Sequence, residues 1–185
     1  TSLSSVPVAN TSPVAWSRIF DFGTGTAVNM FLTPLSGNGT VRFSITTGGG
    51  GAEQRIDGTG PLPTGWTHVA VTKSGTTGTL YVNGQPVGTN PNLTLSPSDL
   101  GGGETTNNWI GRSQYADPLL DATVDDFNLY NRALGPDELG SLLTAPGNGN
   151  VVSWAIRTGD PGAVYQLVIL RPTGFASGLF TGYTG

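Results

Sequence analysis

Twelve carboxylates, one histidine and no cysteine bound the chemistry open to this sequence. Hydrolysis of a glycosidic bond needs two carboxyl groups about 5 Å or about 6.5–9.5 Å apart. The three glutamates, Glu53, Glu104 and Glu138, are scattered, and none sits in an acidic cluster. Asp125 and Asp126 are adjacent, so a regular strand turns them to opposite faces. His68 stands in an apolar run, which suits a buried, hydrogen-bonded imidazole better than a catalytic one. With no second His and no Cys, a zinc site has no ligands to draw on. No Gly-x-Ser-x-Gly elbow is present, and the glycine runs 48–51 and 101–103 lack the Lys-Ser/Thr of a phosphate-cradling loop. These residues point away from an enzyme.

Binding chemistry is better provided for. Sugars offer C–H faces to aromatic rings and hydroxyls to paired donors and acceptors. Between 107 and 121 the sequence gathers Asn107, Asn108, Trp109, Arg112, Gln114, Tyr115 and Asp117. Asn108, Arg112, Gln114, Tyr115 and Asp117 are the candidate ligand-binding residues. A second reading makes Trp109 a core residue and Arg112–Asp117 a local ion pair that pins the loop.

The elements that would carry this loop are strands. Residues 65–84 (GWTHVAVTKSGTTGTLYVNG) form the clearest unit: an apolar run, a polar Gly/Ser/Thr reversal, a returning Leu80-Tyr81-Val82, and an Asn-Gly turn. Trp66 and His68 are core candidates here. Residues 40–46 alternate Val41, Phe43 and Ile45 with Arg42 and Ser44, a period of two. Further strands are predicted at 16–22, 28–32, 53–57 (an edge), 85–88, 107–111 and 122–130. A helix is predicted over 136–143, with Pro136 early and Asp137-Glu138 at its positive end. Residues 1–15 read as an extended arm and 145–149 as a linker. Strands at 151–157 and 163–170 follow, then a loose end from 172 to 185.

Composition agrees. The 29 glycines and 13 prolines among 185 residues favour many turns. Only 11% of residues are charged, below the roughly 25% of an average domain. A net charge of −4 leaves no basic surface for nucleic acid. No apolar run approaches the roughly 20 residues of a membrane-spanning helix, so no membrane insertion is expected. Short strands, frequent turns and one helix make an all-β, two-sheet antiparallel sandwich.

Several of these pieces resemble a known family. Residues 66–71 (WTHVAV), 78–84 (GTLYVNG), 108–112 (NWIGR) and 124–134 (VDDFNLYNRAL) are similar, in that order, to laminin-G-like domains of the concanavalin A-like superfamily. The resemblance covers 16–143 and implies a jelly roll. It places His68 where the family commonly has a histidine beside the tryptophan. It also implies calcium as the metal, held by Asp125 or Asp126, since a hard cation takes carboxylates and carbonyls. The family's first strand has no counterpart before Trp16. Its pattern recurs in Val151-Val152-Ser153-Trp154-Ala155-Ile156, after the closing signature. Residues 145–185 therefore either complete the sandwich, from this chain or a neighbouring copy, or begin a following domain.

The expected function is a non-catalytic, extracellular or cell-surface module that binds a glycan or polysaccharide as part of a larger protein. The alternative is a structural or adhesive sandwich that self-associates through edge strands or terminal arms.

Overall fold

Eleven short strands and one helix build the chain up to residue 143. In order they are β1 (Ser2–Asn10), β2 (Phe20–Gly25), β3 (Val28–Thr33), β4 (Arg42–Thr46), β5 (Gln54–Asp57), β6 (Gly65–Ser74), β7 (Thr77–Val82), β8 (Gln85–Asn90), β9 (Asn107–Ile110), β10 (Ala122–Val124), β11 (Asn128–Tyr130) and α1 (Pro136–Leu143). The computed structural model describes residues 2–10, 12–143, 168–172 and 180–184. The chain divides into two units, Thr1–Gly147 and Asn148–Gly185.

In the first unit, one antiparallel sheet runs β10-β1-β6-β7-β8, with β11 also pairing β1, and the other runs β5-β4-β3-β2-β9. Alternation along the strands sends Val69, Val71 and Leu80 from the first sheet, and Phe20, Met30, Leu32, Phe43, Ile45 and Ile56 from the second, into one buried core. The architecture is the expected jelly-roll sandwich. The β6–β7 hairpin turns at Gly75, with φ 58°, and β7–β8 turns through Asn83 and Gly84, φ 48° and 73°. Both central residues of a type I′ turn need positive φ, which Asn and Gly tolerate best.

The first strand, without a counterpart in the sequence reading, is β1. Where residues 1–15 read as an arm, Ser2–Asn10 lies inside the first sheet, paired on one side with β6 and on the other with β10 and β11. Its Ser- and Pro-bearing sequence has little strand signal of its own, and distant partners supply the order.

Two other expectations are corrected. Trp66 is 60% exposed, whereas His68 is buried. Both share the outer face of β6 with Ala70, and a second, smaller core of Ala70, Tyr81, Leu134 and Leu139 covers that face further along the strand. Trp66 lies at the uncovered start. The predicted strand 122–130 is broken into β10 and β11 at Asp126, whose φ is 47°. The Asp125 carboxylate accepts the Asp126 N–H at 2.9 Å and takes that amide out of the ladder.

The helix α1 forms as predicted. Glu138 reaches back to accept the Gly135 N–H at 2.8 Å and pairs with Arg132, which holds its carboxyl down at about 2.

In the second unit, β12 (Val168–Pro172) and β13 (Phe180–Thr184) form an antiparallel pair. Phe180 and Tyr183 give the predicted loose end enough strand propensity to pair. The 151–157 segment lies outside the described residues.

Candidate functional site

The outer face of the second sheet, away from the core, carries the polar chemistry. Because Phe20, Phe22, Leu32, Met30, Phe43 and Ile45 fill the core, the residues between them point outward. Ladder pairing sets Asp21, Phe31 and Ser44 in one cross-strand row, with Trp109 of β9 next to Asp21. Asn29 and Thr46 form the row to one side, and Thr33 and Arg42 the row to the other. Arg42 and Ser44, read from the alternation as the polar side of their strand, are nonetheless buried.

Two segments cover this face. The first leads into β2. Trp16, in the left-handed region at φ 67°, turns the chain so that Arg18 lies over the Phe31 ring at 3.9 Å. Arg18 is buried and donates to the Trp16 carbonyl at 2.6 Å. It pairs with Asp117 at 3.0 Å and faces Asp21 at 3.6 Å.

The second cover is the loop 111–121, which leaves β9 through Gly111 at φ 79°. The Gln114 N–H donates to the Asp21 carboxylate at 2.9 Å across 93 residues of sequence. The Gln114 and Asn107 side chains bind each other, and Gln114 also donates to the Asn107 carbonyl at 2.8 Å. Ser113 donates to Asp117 at 2.8 Å, and the Tyr115 hydroxyl donates to the Thr26 carbonyl at 2.8 Å. These ties hold the loop's polar groups in place.

Electrostatics follow from burial. Asp21 is fully buried, and desolvation pushes its carboxyl up to about 6, against the pull of the Gln114 amide and Arg18. Burial also lowers the Arg18 pKa and raises that of Tyr115. Charged groups with perturbed titration gather at functional sites more often than elsewhere.

Of the five candidate ligand residues, four come together. Gln114, Tyr115 and Asp117 are half-buried in the loop, and Arg112 is exposed, with its guanidinium 4.3 Å above the half-buried Trp109 ring. Asp117 is engaged by Arg18, so the local Arg112–Asp117 pair of the second reading gives way to a long-range one. Asn108 stands apart. Strand alternation turns it away from Trp109, and it is tied to the Thr105 carbonyl. Sequence reasoning missed Trp16 and Arg18 and did not place Asp21 beside this loop. The available signal was a pair of opposite charges three apart inside the aromatic run WSRIFDF.

Asp125 and Asp126 lie outside this site and are exposed. They offer two carboxylates toward the six to eight oxygens that calcium takes, and one Asp125 oxygen already accepts an amide. Among the described residues, no three His, Cys, Asp or Glu side chains gather closely enough to hold a metal.

Residues 8–140 match the family model of laminin-G-like domains described as "Concanavalin A-like lectin/glucanases superfamily". Among solved structures, the chain is similar to domain 4 of an extracellular GH43 arabinanase from Geobacillus stearothermophilus, in complex with arabinotriose. Identity is 21%, coverage is 78% of this chain and 68% of that one, and the TM-score is 0.62. It is also similar to the CBM40 of the Ruminococcus gnavus IT-sialidase, bound to α2,3-sialyllactose, at 20% identity, 77% and 83% coverage and TM-score 0.61. A heptameric SAP-like pentraxin from Limulus polyphemus matches at 16% identity, 100% and 80% coverage and TM-score 0.53. No curated protein matches the chain.

Proposed function

Since the chain belongs to the concanavalin A-like lectin/glucanase superfamily through its laminin-G-like domain, we propose that it is a non-catalytic, extracellular carbohydrate-binding module of a larger protein. One observation carries this reading. The loop 112–117 holds Gln114, Tyr115 and Asp117 in fixed positions beside the exposed Arg112, which lies over the half-buried Trp109 ring. Aromatic faces take the C–H side of a sugar ring, and oriented amides and carboxylates take its hydroxyls. Loops on a rigid sandwich are where such folds carry function.

The printed ligands of two similar domains, arabinotriose and sialyllactose, add support for a glycan as the partner. Calcium enters the proposal only as an accessory ion at Asp125 and Asp126, completed by carbonyls and water. A glycan array probed with wild type and Tyr115→Ala, with and without calcium, tests the reading. Binding that Tyr115→Ala weakens supports it, and an array on which the wild type holds nothing refutes it.

A further inference from the structure

The edge strand β9 leaves backbone groups open. It pairs with β2 through Phe20↔Ile110, Asp21↔Trp109, Phe22↔Asn108 and Gly23↔Asn107, and no described strand lies on its other side. The Gly111 N–H donates to the Ile19 carbonyl at 3.1 Å in this same register. Antiparallel ladders alternate, so Trp109 and Asn107 also bond toward β2. The N–H and C=O of Asn108 and Ile110 then face outward. No described residue takes up these four groups.

The other edges of the first unit carry the usual protections against strand addition. Strand β8 has Pro86 and a register shift, and its Asn90 side chain donates to the Arg55 carbonyl of β5 at 2.9 Å. Strand β5 carries an ion pair of its own, Arg55 with Asp57 at 3.4 Å. Strands β10 and β11 have three residues each and are parted by Asp125 and the positive φ of Asp126. Strand β9, with the sequence NNWI, has no charge, no proline and no register shift. Two large apolar side chains are exposed there, Ile110 on the strand and Leu119 in the loop that follows.

We propose that β9 is the interface between two copies of this chain, paired antiparallel about a two-fold axis at Trp109. The outward groups set the register. Asn108 opposite Ile110 of the second copy, and Ile110 opposite its Asn108, satisfies all four groups of each copy. Asn108 opposite Asn108 would leave those of Ile110 unpaired. In the favoured register the two Trp109 residues form a non-hydrogen-bonded pair, about 4.5 Å apart at Cα. Their side chains share one face of the sheet, and aromatic cross-strand pairs are stabilising. The order β5-β4-β3-β2-β9 thus becomes half of a continuous ten-stranded sheet. Arg112, over each Trp109 ring, is exposed, so solvent and salt screen the two cations from each other.

A four-residue edge is a small interface, which implies a weak dimer with a dissociation constant of about 100 µM. Where the glycan reading above holds, the dimer offers two loops 112–117 to one polymer and gains avidity. The pairing itself does not rest on that reading.

Sedimentation equilibrium of the ligand-free chain between about 10 µM and about 1 mM should show a reversible monomer–dimer equilibrium. Asn108→Pro removes an outward N–H at a position where an edge strand tolerates proline. It should weaken the dimer at least about tenfold while the melting temperature holds. Ile110→Lys charges the same edge at an exposed side chain and should act alike, so the test survives if the proline disturbs the fold. Because the chain has no cysteine, Trp109→Cys sets the dimer's two thiols face to face, within the roughly 4.4–6.8 Å Cα range of a disulfide. Mild oxidation should link them, and should leave Thr123→Cys, exposed on β10, unlinked. A monomer at every concentration, a dimer that both edge variants leave intact, or equal linking through Thr123→Cys would overturn the inference. A chain that dimerises through β9 yet holds no sugar refutes the glycan reading alone.

Discussion

The Asp21 carboxyl offers a quantitative check on the electrostatics of the covered face. Burial raises it from 3.8 to about 6, so the folded chain binds a proton there more tightly than the unfolded chain does. For an acid shifted in this direction, the stabilising contribution is fully present below the unfolded value and is lost as pH rises through the folded one. Each pK unit is worth about 1.36 kcal/mol. Between pH 7 and pH 4.5 the gain on acidification is therefore about 2 kcal/mol. Two other groups titrate nearby. Burial lowers the His68 pKa, so its contribution falls as the unfolded imidazole protonates below about 6.5. Glu138, held at about 2, begins to cost stability below about 4.5. Comparison with Asp21→Asn cancels the first, and stopping at pH 4.5 avoids the second. Urea unfolding of both proteins at pH 7, 6, 5 and 4.5 should show the stability of Asp21→Asn relative to wild type falling by about 2 kcal/mol on acidification. A difference that stays constant within about 0.5 kcal/mol across the range would refute the assignment of Asp21 as a desolvated carboxylate.

Packing and local structure give further expectations. A Cβ on Gly88 would lie 2.2 Å from the Asp57 carbonyl oxygen of the strand across the sandwich edge, so Gly88→Ala should lose about 3 kcal/mol in urea unfolding. Leu139→Ala removes the buried contact of α1 with Ala70 and Tyr81 and should cost about 3 kcal/mol by the same measurement. Asp99→Ala removes the carboxylate that accepts the Ser96 N–H at 2.7 Å at the turn Pro97–Gly102, with an expected loss of about 1 kcal/mol. If calcium binds at Asp125 and Asp126, two carboxylates imply affinity in the weak, roughly millimolar range of extracellular modules. The melting temperature should then respond to millimolar but not micromolar calcium, and Asp125→Asn should abolish the response.

Local patterns made much of the fold legible. The alternation of 40–46, the Asn83-Gly84 turn and the Pro136 start of α1 each signal their element within a few residues. What escaped depends on distant partners. Strand β1 is defined by β6, β10 and β11, and its own SLSSVPVAN carries no clear period. Trp66 looks like core by residue type, yet its exposure is decided by where α1 ends on the outer face of the first sheet. At the site, residue chemistry identified Arg112, Gln114, Tyr115 and Asp117 as one cluster. The buried partners that hold two of them are Asp21 of β2, 93 residues before Gln114, and Arg18 of the segment leading into β2, which pairs with Asp117, and no local spacing reports those contacts. Asn108 was drawn in by proximity in sequence, and strand alternation separates it from Trp109.

The central proposal is that the exposed surface of the loop 112–117 binds a glycan. Backbone amide chemical-shift mapping during titration with arabinotriose and with sialyllactose tests it directly. At least one of the two sugars should shift the amides of Trp109, Arg112, Gln114 and Tyr115 most strongly, with those of Trp66 and Asp125 unmoved. Saturable shifts centred on Trp66 or Asp125, or no shifts with either sugar, would contradict it.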